Sequence, residues 1–156
     1  MYNKILVPLD GSKLAECVLP HVEALAKGCQ VKEVEFVRVF EPFRVPNSGE
    51  FVLSEKDMAK LDAEHKAEAE KYIQDVAKNS HSNGVKASGA VIKRREGVAE
   101  DLADYAQKSG ADAIVIATHG RSGPSRWVWG SVADRILRSS CVPVLMVRAP
   151  GCVAGI

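Results

Sequence analysis

Apolar and polar positions alternate in two distinct rhythms along this chain, and the alternation between rhythms sets the fold class. Lys4-Ile-Leu-Val-Pro-Leu9 is a short, nearly continuous apolar run, the pattern of a strand covered on both faces of a parallel sheet. After it Ala15, Val18, Leu19, Val22 and Ala26 fall at i, i+3, i+4, i+7 and i+11, one helical stripe with Ser12 as N-cap and Gly28 as terminator. Pro20 lies inside that stripe, where it removes a backbone donor, so the helix is expected to kink or break there. Val31 to Val39 reads as a second strand, polar at Glu33 and Glu35 and ending before Pro42.

The segment from Glu41 to Phe51 carries Pro42, Pro46 and Asn47-Ser-Gly49 and reads as a loop, either a lid or a plain surface excursion. Ser54 and Asp57 form a variant capping box. Met58, Leu61, His65, Ala69, Tyr72 and Val76 then mark one face of a long helix running towards Asn83-Gly84. His65 falls on the stripe and is expected to be partly buried and hydrogen-bonded. It lacks a second His or Cys at ligand spacing, which speaks against a metal. Val85 to Ile92 gives a third strand, Glu96 to Lys108 a helix, Ala113 to Ala117 a fourth strand, Gly130 to Arg138 a last helix and Pro143 to Val147 a last strand. Strands alternating with helices build a parallel sheet covered on both faces, with ligands at the carboxyl ends of the strands where the order reverses.

A chain of 156 residues is the length of one domain and can bury roughly 70% of its unfolded surface without staples. Its 21 basic and 20 acidic residues nearly balance, which gives no reason to expect a nucleic-acid or membrane-surface partner. No stretch approaches the ~18 apolar residues of a membrane span, and Ile5 to Leu9 is too short for a signal segment, so a cytoplasmic location is expected. Cys17, Cys29, Cys141 and Cys152 form no C-x-x-C pair and read as reduced thiols, Cys152 being open to a slow intermolecular disulfide.

The candidate chemistry lies in the last third. Ala111 to Gly120 is a buried strand running into a glycine loop, and Gly130-Ser131 opens a helix nine residues later. That arrangement directs backbone N–H groups and a helix dipole at one small volume, a cradle for phosphate. Asp10, after the first strand, lies at the same edge, either as a helix cap beside Ser12 or as an acceptor for a ligand. Arg121 and Arg126 flank the glycine loop as phosphate clamps or as solvated charges, and Trp127 and Trp129 read as packing residues. No G-x-x-x-x-G-K-[ST] and no G-x-G-x-x-G are present, so fast ATP turnover and dinucleotide binding are not expected. Asp10, His119 and Ser122 or Ser131 could compose a hydrolase set, but Gly120-Arg-Ser-Gly123 is not the G-x-S-x-G elbow and no oxyanion loop is evident.

Ile5-Leu-Val-Pro-Leu-Asp-Gly-Ser12, Ala117-Thr-His-Gly-Arg-Ser-Gly123, Gly130-Ser-Val-Ala-Asp-Arg-Ile-Leu137 and Cys141-Val-Pro-Val-Leu-Met-Val-Arg148 together resemble the universal stress protein family. The resemblance implies a single doubly wound α/β domain over residues 1–148 with a short tail at 149–156. It also implies a five-stranded parallel sheet in the order 3-2-1-4-5. Family members that bind ATP carry G-x-x-G, nine residues, then G-S or G-T; Gly120, Gly130 and Ser131 match, and Ala117 stands where the first glycine would be. By resemblance Pro8, Asp10 and Val39 surround the adenine end. Ala117, His119 and Gly120 line the ribose and phosphates, and Gly130, Ser131 and Val132 supply donors to phosphate oxygens. The implied function is an ATP-binding stress-response dimer, with magnesium or manganese shared by the phosphates and at most slow hydrolysis. The implied pairing surface is the last strand, Val142 to Val147, and the output runs through an unidentified protein partner. A family member that has lost its nucleotide and acts only as an interaction module is the alternative.

Overall fold

A computed structural model of the chain describes residues 2–42, 54–82, 84–118 and 131–148. Five strands, β1 (Lys4–Pro8), β2 (Glu33–Phe40), β3 (Ala87–Lys93), β4 (Ala113–Ala117) and β5 (Val144–Val147), form one parallel sheet in the order β3-β2-β1-β4-β5. The helices are α1 (Leu19–Gly28), α2 (Glu55–Ser82), α3 (Val98–Lys108) and α4 (Ser131–Ser139). This is the doubly wound α/β fold and the 3-2-1-4-5 order anticipated from the sequence.

The continuous apolar run of β1 has its cause in this order. β1 is central, with Leu6 opposite Glu35 of β2 and Ile114 of β4, so both of its faces need cover. Ile5 and Val7 join Val34, Phe36 and Val115 in one core, closed by Val22 and Ala26 of α1 and by Ile73, Val76 and Ala77 of α2. Leu6 joins Val37, Ile114 and Ile116 in a second core, closed by Leu102 and Ala106 of α3 and Ala133 and Ile136 of α4. Alternate residues of the central strands therefore enter opposite cores, as their parity dictates.

Pro20 breaks the first helical stripe. Ala15–Val18 forms a 3-10 turn and α1 begins at Leu19, which places Pro20 in the first turn, where its missing N–H costs nothing. Ser12 closes the preceding turn: its Oγ accepts from the Ala15 N–H at 3.1 Å and its carbonyl from the Glu16 N–H at 3.2 Å. At the start of α2 the Ser54 Oγ accepts from the Asp57 N–H at 3.2 Å and donates to Asp57 Oδ2 at 2.6 Å, the expected capping pair.

The long helix corrects one expectation. His65 is exposed rather than partly buried, and burial along α2 begins only at Ala69. The stripe of Met58, Leu61 and His65 continues the right face, but this half of the helix lacks the close cover that Ile73 and Val76 find over the sheet. Farther along, α2 lies tight on the edge strand β3: a Cβ built on Gly89 would collide with Cγ2 of Ile73 and stand 3.2 Å from its carbonyl oxygen.

Glu35 is 9% exposed although it belongs to the polar set of β2. Tyr105 of α3 donates its hydroxyl to Glu35 Oε1 at 2.9 Å, and Lys4 Nζ stands 2.9 Å from Oε2 as an ion pair without hydrogen-bond alignment. No helix among the described residues is long and apolar enough to cross a membrane.

Candidate functional site

The chain leaves β1 towards β2 and β3 on one side and returns to β4 and β5 on the other, so the order reverses between β1 and β4. At such a reversal the connections diverge to opposite faces and leave a crevice beyond the carboxyl ends. A cavity of about 590 Å³ occupies that position. Pro8 and Asp10 from the end of β1, Val39 from β2, Ala117 from the end of β4, and Ser131 and Val132 from the start of α4 all line it. Six residues singled out from the sequence are thus gathered around one volume of the size that holds a small organic ligand.

His119, Gly120 and Gly130 lie outside the described residues, together with Arg121, Ser122, Arg126, Trp127 and Trp129. The same holds for most of the Glu41 to Phe51 segment, of which Glu41 and Pro42 are described, and for Cys152.

Several features set the chemistry of the cavity. The first amides of an α-helix have no acceptor within the helix, and they carry the positive end of its dipole. In α4 these are the residues at the cavity wall, Ser131, Val132 and Ala133. Asp10 Oδ1 accepts from the Ser12 N–H at 2.9 Å, so its carboxylate braces the turn while lining the cavity; capping and ligand contact are compatible. Ala117 is the last residue of β4, paired with Val147, and no described residue but Gln30 and three glycines has a positive φ. The position therefore does not require a glycine backbone, and the alanine methyl is buried in the α1/α2 core.

Beside the Asp10 turn, Tyr72 donates its hydroxyl to Glu16 Oε1 at 3.1 Å. Burial, the Glu16 charge and this hydrogen bond push its phenol well above the usual tyrosine range. Burial likewise raises Cys17, which keeps it a thiol rather than a nucleophilic thiolate. No group of three or more His, Cys, Asp or Glu side chains stands at metal-binding distances among the described residues.

Sequence reasoning did not assign Arg38, Val98 or Leu102 to the site, yet all three line the cavity, as do His65 and Glu68 of α2. Arg38 and Val39 carried a usable signal in their position at the carboxyl end of a central strand. Val98 and Leu102 were legible only as inward positions of a helix.

A sequence model of the Universal stress protein family matches residues 1–148. Universal stress protein MJ0531 of Methanocaldococcus jannaschii is 31% identical over 153 residues, covering 96% of this chain and 84% of that protein. The solved structure of protein MJ0577 from the same organism is similar at TM-score 0.78 and 25% identity, covering 97% of this chain and 99% of that one. A universal stress protein from Archaeoglobus fulgidus solved in complex with dAMP shares the fold at TM-score 0.60 and 23% identity, covering 93% of this chain and 97% of that one.

Proposed function

Because the chain belongs to the universal stress protein family, we propose that its edge cavity binds an adenine nucleotide, ATP in preference to AMP, and that occupancy is read by a protein partner in the cytoplasm. The observation that carries this reading is the meeting of the α4 N-terminus with Asp10 and Val39 on one cavity at the β1/β4 reversal. The dAMP complex of the Archaeoglobus fulgidus relative supports the choice of base.

In this reading the adenine end lies by Pro8, Asp10 and Val39, with Asp10 accepting from ribose or adenine donors. Ala117, His119 and Gly120 flank the ribose and phosphates, and Gly130, Ser131 and Val132 donate to phosphate oxygens. Magnesium or manganese bridges the phosphates and neutralises their charge. The binding unit is residues 1–148, with 149–156 a short tail. Hydrolysis is slow at most, since the chain has no P-loop lysine to stabilise charge on a transferred phosphoryl group. Two copies pair through Val142 to Val147, because β5 is the last strand of the sheet and presents Leu145 at 44% exposure.

Calorimetric titration of nucleotide-stripped protein with ATP and magnesium, with AMP as comparison, tests the reading. The expected result is saturable binding of one ATP per chain, weaker for AMP. The second reading, an interaction module without nucleotide, rests on the Ala117 methyl at the cavity wall. It is the one to adopt if no binding occurs up to millimolar ATP.

A further inference from the structure

Arg38 lies on β2 between Val37 and Val39, and all three residues line the cavity. Strand alternation turns it to the face shared by Val34 and Phe36, the α1/α2 side of the sheet. Its guanidinium carbon stands 5.4 Å from the centroid of the Tyr72 ring. On the other side it packs against Gly11, where a Cβ would come within 3.2 Å of Nη1 and 3.3 Å of Cζ. Gly11 has a φ of +87°, so the turn after Asp10 both requires a glycine and leaves room for the planar group. Ring and turn together fix the guanidinium at the cavity.

A guanidinium carries five N–H donors. Among the described residues none of those of Arg38 meets an acceptor, although carboxylates are close at hand. Glu16 accepts from Tyr72 and pairs with Lys13 at 2.9 Å, Glu41 pairs with Arg94 at 2.8 Å, and Asp10 Oδ1 accepts from Ser12. A half-buried, oriented cation at a cavity wall, its donors unmet among the described residues, suits an anion brought by a ligand.

We propose that Arg38 receives a phosphate carried on the ribose of the bound nucleotide, so that this site selects adenosine 2′,5′- or 3′,5′-bisphosphate chemistry over the plain 5′-nucleotide. The inference rests on the nucleotide reading above. Two placements favour the ribose over the 5′ phosphates. The α4 N-terminus, which serves the 5′ end, belongs to the α3/α4 side, whereas Arg38 is turned to the opposite face. Arg38 instead adjoins the Asp10–Gly11 turn, where in the reading above Asp10 accepts from ribose or adenine donors, and in dinucleotide sites a nearby arginine is what accommodates a ribose phosphate. The guanidinium fork suits two phosphate oxygens at once, which a lysine ammonium does not match.

The test measures calorimetric affinities of AMP, ADP and the two adenosine bisphosphates for the wild type, Arg38→Gln and Arg38→Lys. The wild type is expected to bind at least one bisphosphate about tenfold or more tightly than AMP, the order of a charge-assisted hydrogen bond. In Arg38→Gln that ratio falls to near one, and in Arg38→Lys it is intermediate. The ADP-to-AMP ratio reports the 5′ end and stays the same in all three proteins. A wild type that binds AMP but prefers neither bisphosphate overturns the role of Arg38 and leaves the nucleotide reading standing. A bisphosphate preference that survives Arg38→Gln also overturns it. If none of the four ligands binds, this inference falls, and the ATP titration above decides the nucleotide reading separately. Thermal melts of the variants, expected within a few degrees of the wild type, separate lost recognition from lost folding.

Discussion

Gly89→Ala adds one methyl group where the structure has no room for it. Its Cβ would collide with Cγ2 of Ile73 and lie 3.2 Å from the Ile73 carbonyl oxygen and 3.4 Å from its carbonyl carbon. Ile73 is 1% exposed and packed among the residues of the α1/α2 core, so it cannot turn aside. Either α2 lifts from β3 or β3 bends, and overpacking of that kind costs about 1–3 kcal/mol. Replacing glycine in a strand recovers about 0.5–1 kcal/mol of chain entropy, so the net loss is about 1–2 kcal/mol. For a chain of this length that lowers the Tm by about 2–8 °C. Urea and thermal unfolding of Gly89→Ala, Ile73→Leu and the double variant check the origin of the loss. Leucine keeps the side-chain volume and removes the β-branch that points at Gly89, so Ile73→Leu is expected to restore part of the lost stability in the Gly89→Ala background. A Gly89→Ala protein as stable as the wild type, or additive losses in the double variant, would refute the close packing of α2 on β3.

Tyr105→Phe removes the donor to the buried Glu35 Oε1 and is expected to cost about 1–2 kcal/mol in urea unfolding, against no change if the hydrogen bond is idle. Burial and the bond to Glu35 push the Tyr105 phenol up to about 12 from 10.0. The folded state therefore holds this proton more tightly than the unfolded state, and the linked stability is complete below pH 10 and is lost as pH rises towards 12. Between those values the wild type should lose stability faster than Tyr105→Phe, and parallel pH profiles would contradict the assignment. Leu145→Asp places a charge on the exposed side chain of β5. Sedimentation velocity should find the wild type at twice the chain mass and the variant shifted to the monomer, whereas a monomeric wild type removes the proposed pairing surface.

Local chemistry made much of this molecule legible. The unbroken apolar runs of β1 and β4 required burial on both faces, and that requirement alone placed them inside a parallel sheet. Pro20 announced a break because a missing N–H is tolerated only in a first turn, and Ser54 with Asp57 announced the start of α2. What the sequence hid depended on distance along the chain. Glu33 and Glu35 look alike as polar positions of one strand, yet Glu35 is buried because Lys4 and Tyr105 come to it from elements far away in sequence. His65 had the right helical phase, but phase reports direction and says nothing of where the covering sheet ends. The cavity followed the same division: Pro8, Asp10 and Ala117 stood out as strand ends, whereas the approach of Arg38 to Gly11 required the folded backbone.

The two cores have separate memberships, one behind α1 and α2 and one behind α3 and α4, divided by the sheet. The edge cavity touches both, through Leu9, Ala15 and Ala117 on one side and Val37, Leu102 and Ala133 on the other. A molecule seated there is a rivet through the sheet's open end. Its binding free energy, about 2.7 kcal/mol at a hundred times its dissociation constant, opposes the loosening of either helical layer. Occupancy of the cavity would thereby convert ligand concentration into mechanical coherence between the two layers. A partner that grips surface from both layers could register occupancy as stiffness, without any change of shape.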